Sequence, residues 1–140
     1  MLNTCSRGVR RIPDPFIGTN ELDVEWVGEH PWTYETTFNG PVISDNAQVY
    51  LLFDGLDTFA HVRLNGATIL ESDNMFLSHR VDITALLQQS KRNTLSIEFD
   101  SALLAGRALE KEHSEHNFVA FNGEASRLAV RKAQYHWVRI

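Results

Sequence analysis

The stretch 58-TFAHVRLNGATIL-70 decides the fold. Its Asn65-Gly66 pair sits between two runs rich in β-branched and apolar residues. Both residues tolerate the positive φ that a type I′ turn demands, so the stretch predicts a β-hairpin. Outward from it the dominant period stays at two. In 93-NTLSIEFD-100, Leu95, Ile97 and Phe99 alternate with Ser96, Glu98 and Asp100, the pattern of a strand covered on one face. In 32-WTYETTF-38, Trp32, Tyr34 and Phe38 share a face that is expected to pack into the core. The run 47-AQVYLLFD-54 has apolar side chains on both faces, Val49, Leu51 and Phe53 against Tyr50 and Leu52, and is expected to be a central strand buried on both sides.

A further strand is predicted in 76-FLSHRVDI-83, followed by about one helical turn in 82-DITALLQ-88 capped by Asp82 or Thr84. That makes five or six short strands between Trp32 and Asp100, a density that points to an all-β sandwich or barrel and away from a βαβ fold. One segment departs from this period. In 101-SALLAGRALEKEHSEH-116, Ser101 is placed to cap a helix whose Leu103, Leu104 and Leu109 fall near helical spacing, and it predicts one helix against the sandwich. Residues 10–31, RRIPDPFIGTNELDVEWVGEHP, hold three of the four prolines and no sustained period, so an ordered loop or arm is expected there.

Composition narrows the partners. With 140 residues the chain suits one domain with a real core. Its 13 basic and 18 acidic side chains give a net charge of −5, a field that repels nucleic-acid phosphates and anionic lipids. No window approaches the roughly 18 to 20 continuous apolar residues of a membrane span. Neither nucleic acid nor membrane is an expected partner. The single cysteine, Cys5, and the lack of any Asn-x-Ser/Thr acceptor fit a cytoplasmic setting, and the N-terminus lacks the apolar core of a secretory signal.

Chemistry-bearing motifs are sparse. There is no G-x-S-x-G elbow, P-loop or G-x-G-x-x-G. His113 and His116 share a helix face, but the spacing H-S-E-H matches no zinc-protease pattern, so a solvated helix end is the simpler reading. No cofactor or metal is expected. Glycoside hydrolysis needs two carboxyls held about 5 to 9.5 Å apart across a sugar. Asp54 and Asp57 flank Gly55, where a turn role is the simpler one, and Asp73-Asn74 also reads as a turn. The aromatics are the stronger signal, because sugar rings stack on such faces. Trp26, outside the strand pattern, and the run Tyr135-His136-Trp137 are the candidate substrate-binding or domain-interface residues.

Taken together, 12-IPDPFIGTNELDVEWVGEHPWTYETTF-38, 51-LLFDGLDTFAHVRLNGATIL-70, 72-SDNMFLSHRVDIT-84, 93-NTLSIEFDSALLAGRALEKE-112 and 126-SRLAVRKAQYHW-137 resemble the N-terminal sugar-binding domain of β-mannosidases of glycoside hydrolase family 2. The likeness is to the fungal, intracellular type. It runs from about Arg11 to Trp137, with the pattern F-D-G-L-D-T-x-A-x-V-x-L-N-G shared broadly across the family and IPDPF-x-G-x-N-E with RKAQYHW more particular to β-mannosidases.

The resemblance implies a jelly-roll, galactose-binding-like β-sandwich with one added helix near 101–113, an irregular segment over 1–11 and a single sugar-binding domain over 12–140. It implies retaining hydrolysis releasing terminal β-D-mannose, with both catalytic glutamates on a separate (β/α)₈ barrel. The implied partners are therefore β-mannosides or mannose-containing oligosaccharides and that catalytic barrel. No catalytic residue maps onto this chain, which is expected to be inactive alone. Family members continue past RKAQYHW with a Gly-Trp-Asp-Trp-Gly-Pro run and begin with a further strand and short helix, so an incomplete domain, truncated at both ends, is expected. The alternative is a stand-alone, non-catalytic carbohydrate-binding β-sandwich.

Overall fold

The computed structural model describes residues 12–116, 119 and 124–133. Among them are six strands, β1 (Trp32–Asn39), β2 (Tyr50–Phe53), β3 (Ala60–Leu64), β4 (Ala67–Ser72), β5 (His79–Asp82) and β6 (Arg92–Phe99). They form two antiparallel sheets, one of four strands in the order β1-β6-β3-β4 and one pairing β2 with β5. This is the expected all-β sandwich. The helices are α1 (Asn20–Asp23) and α2 (Ala102–Glu112), with 3-10 turns at Glu25–Glu29 and Ala125–Ala129. None is long and apolar enough to cross a membrane. The predicted segment 1–11 lies outside the described residues.

The hairpin forms where Asn65-Gly66 placed it, with φ of 52° and 85° at those two residues. Glycine bears the second value without the steric cost a Cβ would bring. Between Val62 and Arg63 the β3-β4 register shifts by a bulge. The side chains of β3 alternate strictly, Ala60, Val62 and Leu64 being 1%, 0% and 0% exposed. They meet Leu95, Ile97 and Phe99 across the β3-β6 register, as the period of β6 predicted. A fully buried aliphatic side chain contributes about 1.5–3 kcal/mol, so Val62 and Leu64 anchor the sandwich. Leu64 joins Ile83 and Leu87 in a second cluster covered by Phe38, Val49, Leu51 and Val81 from three other strands or their flanks.

Two strand expectations are corrected. Among the described residues β2 is not a central strand: its one strand partner there is β5, and Leu52 is 70% exposed. Alternation showed apolar side chains on both faces, but the outer face of this small sheet carries the Arg80 guanidinium 3.8 Å above the Tyr50 ring instead of a covering layer. Tyr34 does not pack into the core either, being 56% exposed. Among the described residues β1 is the edge strand of the larger sheet, paired on one side with β6.

The helical predictions hold more closely. Ser101 caps α2, its hydroxyl accepting from the Leu104 N–H at 3.1 Å. Instead of lying flat on a sheet, α2 packs on the two 3-10 turns. The turn after β5 is capped by Asp82, which accepts from both the N–H (2.9 Å) and the hydroxyl (2.6 Å) of Thr84. These bonds hold the Asp82 carboxyl below the ordinary aspartate range. Asn74 forms the expected turn, accepting from the Phe76 N–H at 3.0 Å, while Asp73 pairs with Arg131 at 3.0 Å.

Candidate functional site

β1 starts and β6 ends at the same edge of the larger sheet, where Trp32 faces Phe99 in register. The chain enters β1 from the first 3-10 turn and leaves β6 directly into α2, so both connections rise from one end of the sheet. Ser101 ties them together, because its hydroxyl also donates to the Gly28 carbonyl at 2.6 Å. Between these connections and the sheet end lies a cleft of about 700 Å³.

The cleft has an apolar floor and two charged walls. Trp32, Tyr34 and Phe99 form the floor, Tyr34 meeting Phe99 edge-on with ring centres 5.8 Å apart. On one wall the Arg107 guanidinium grips Glu124 through Nε (2.5 Å) and Nη2 (3.3 Å) and Glu29 through Nη1 (2.9 Å). The bonds to Glu124 first, and to Glu29 second, raise the Arg107 pKa further above its ordinary value. This cation therefore links α2 to the first 3-10 turn and to the residue that opens the second. On the opposite wall Lys132 Nζ lies 3.2 Å from Asp57 Oδ2.

Four of the five carboxylates lining the cleft have side-chain partners: Glu29 and Glu124 share Arg107, Asp57 pairs with Lys132, and Asp100 lies 3.1 Å from the His61 ring, while Glu25 is the fifth. A general acid needs a carboxyl kept protonated by burial or by a like charge, and an ion-paired carboxylate is the opposite arrangement. What the cleft offers is recognition: aromatic faces for the apolar side of a ligand, and oriented donors and acceptors for its polar edge.

Of the residues singled out from the sequence, Trp26 lies beside this cleft without lining it. Its ring packs against Trp32 at 5.9 Å and meets His30 edge-on at 5.7 Å. Trp32 is fixed in turn by its indole N–H, which donates to the Val27 carbonyl at 2.8 Å. Tyr135, His136 and Trp137 lie outside the described residues. His113 and His116 sit exposed past the end of α2, His113 Nδ1 being 3.3 Å from Glu115 Oε1. Asp54 and Asp57 flank an irregular stretch with no hydrogen-bonded turn at Gly55, and the Asp57 carboxylate reaches the Thr58 hydroxyl and Lys132. Sequence reasoning missed Arg107, Lys132 and the cleft role of Tyr34. Arg107 sits within a charged helical run, and nothing local distinguishes it from its solvated neighbours.

Comparison with known proteins agrees with this architecture. Residues 8–138 match the glycosyl hydrolase 2 galactose-binding domain-like family. The chain is 56% identical over 127 residues to β-mannosidase B of Emericella nidulans and 60% identical over 126 residues to β-mannosidase B of Thermothelomyces thermophilus. These alignments take in 91% and 90% of this chain but 15% of either relative's length. Among solved structures, a β-D-mannosidase from Dictyoglomus thermophilum superposes with a TM-score of 0.70 at 34% identity, over 89% of this chain and 15% of that one.

Proposed function

The chain belongs to the glycosyl hydrolase 2 galactose-binding domain-like family, and from that premise we propose that it serves as the N-terminal, non-catalytic domain of a β-mannosidase. The observation that carries this reading is its 60% identity to a β-mannosidase B over 90% of this chain, together with a span of 15% of that relative's length. Identity of that level across nearly the whole chain supports a shared role for the domain. The small share of the relative supports a reaction whose chemistry is supplied elsewhere in the polypeptide. The ion-paired carboxylates of the cleft support the same division of labour.

In this reading the domain assists binding of β-mannosides or mannose-containing oligosaccharides and docks on a catalytic barrel that carries the reacting glutamates. Trp26, Tyr135, His136 and Trp137 are its proposed substrate or interface contacts, residues 12–140 its domain, and the cytoplasm its setting. Composition supports the setting through the single cysteine and the missing glycosylation acceptors.

The test is a hybrid in which this chain replaces the corresponding segment of the Thermothelomyces enzyme. The hybrid is expected to hydrolyse an aryl β-mannoside, and the chain alone to show no turnover. Turnover by the chain alone, or a folded hybrid without activity, overturns the reading.

A further inference from the structure

The arm that precedes β1 shows its apolar side chains to water. Phe16 is 92% exposed, Ile17 63%, Leu22 62% and Ile12 45%. A surface phenylalanine at that exposure is ordinary when it stands alone, but here four large exposed apolar side chains fall within eleven residues of one arm, a concentration that suits an interaction site. The arm is also held in shape. Asp14 Oδ1 accepts from the Phe16 N–H at 2.9 Å, the Asp14 carbonyl accepts from the Ile17 N–H (3.2 Å) and from Asn20 Nδ2 (2.9 Å), and Gly18 supplies a φ of 61°. Phe16 and Ile17 are thus presented at the apex of a bonded turn, so docking them costs little further ordering entropy.

Charge states what the arm would dock on. From residue 12 to residue 29 the sequence contains Asp14, Glu21, Asp23, Glu25 and Glu29 and no lysine or arginine. All five acids are exposed. Apolar knobs framed by acids fit an apolar socket with a basic rim. A second copy of this chain, itself at net charge −5, is a poor source of that rim. Arg63, Arg107, Arg131 and Lys132 are each bound to a carboxylate of their own chain, Arg80 lies on Tyr50 and Arg92 bonds Thr37, while Lys91 and Lys111 are exposed. The relatives, by contrast, carry 85% of their length (100 − 15) beyond the part this chain matches.

We propose that the arm Ile12–Leu22 is the docking element of this domain, its Phe16-Ile17 apex seating in an apolar, basic-rimmed socket on the catalytic domain of the same polypeptide. This rests on the reading of the chain as a β-mannosidase domain. It adds which surface makes the contact and what chemistry receives it.

The experiment uses the hybrid enzyme, comparing Phe16→Ser/Ile17→Ser and, separately, Glu21→Gln/Asp23→Asn with the unaltered hybrid, none of which adds a tryptic site. The readout is the rate at which limited trypsin digestion releases the domain. Truncating a central aromatic anchor is expected to speed release by about tenfold or more, and the charge removal by less. Near-UV circular dichroism of each variant hybrid should match the parent, since these side chains are exposed; Phe16→Leu should restore much of the protection. Release from the serine variant at the parental rate overturns the inference. An active, protected parent with an insensitive arm condemns the arm alone. A parent that is inactive and unprotected condemns the β-mannosidase reading beneath it.

Discussion

Asn93→Ala is the perturbation whose size the structure fixes most closely. Asn93 is fully buried, yet all of its hydrogen-bonding capacity is used. Its amide nitrogen donates to the carbonyls of Gln88 (2.9 Å) and Lys91 (3.0 Å), and its oxygen accepts from the Gln88 N–H (2.8 Å) and from Asn65 Nδ2 (2.9 Å). One side chain therefore joins the loop before β6 to the turn of the β3-β4 hairpin. Each such bond contributes about 1 kcal/mol net, and an abandoned buried partner costs about 1–3 kcal/mol. Gln88 and Lys91 are exposed residues, so water can take up part of what is lost. The expected destabilisation is about 3 kcal/mol, or on the order of 10 °C in midpoint temperature for a domain of this size.

The assay is equilibrium urea unfolding of the purified chain, followed by tryptophan fluorescence. A companion variant isolates the pairwise part. Asn65→Gly keeps the positive φ of the turn but removes the side chain that reaches Asn93, the Leu86 carbonyl and the Thr94 N–H. Because the two side chains bond each other, their losses should fall short of additive by roughly 1 kcal/mol. A loss below about 1 kcal/mol for Asn93→Ala, or strict additivity, would refute the claim that this amide clamps the hairpin to the loop.

Two further outcomes follow from local geometry. Gly106→Ala should destabilise the chain by about 1–3 kcal/mol although alanine favours helices, because a Cβ there would lie 2.4 Å from the Ser126 carbonyl oxygen. Faster amide exchange along Ala102–Glu112 would register the loosened helix, and a net stabilisation would show that α2 does not pack this closely on the second 3-10 turn. Asp82 has its folded-state pKa lowered by the two bonds from Thr84, so its contribution is complete above the unfolded value near pH 4 and is lost as pH falls through the folded value. Wild type should therefore exceed Asp82→Asn in urea stability at neutral pH and converge with it at strongly acid pH; a gap that persists in acid would show that the carboxylate charge is not what matters.

The parts of the fold that were legible in the sequence are those whose cause is local. Asn65-Gly66 announced the hairpin because few residue pairs accept two positive φ values in succession, and Ser101 announced α2 because its hydroxyl answers an amide three residues on. Tyr34 and Leu52 were misread for one shared reason: alternation assigns side chains to faces, but whether a second layer covers a face is set by tertiary packing that the period does not record. The cleft was hidden for a similar reason. Arg107 meets Glu29 across 78 residues of sequence, and no periodicity records that meeting.

The motif on which the family likeness rests most broadly also explains why that likeness speaks clearly about fold and says little about chemistry. Within F-D-G-L-D-T-x-A-x-V-x-L-N-G, Leu56, Thr58, Ala60, Val62 and Leu64 are all buried, the last three on one face of β3. Two of the remaining polar positions hold the scaffold, Asp57 on Lys132 and Asn65 on Asn93. Substitution anywhere along that face would cost core packing before it touched a ligand. Under the proposed reading, recognition falls to the Trp32–Tyr34–Phe99 cleft, which Asp57 of the motif also lines, and to the acidic arm ahead of β1. Those two surfaces lie on either side of the same 3-10 turn, where Trp26 packs against Trp32. Arg107, on α2, holds Glu29 at the end of that turn at 2.9 Å.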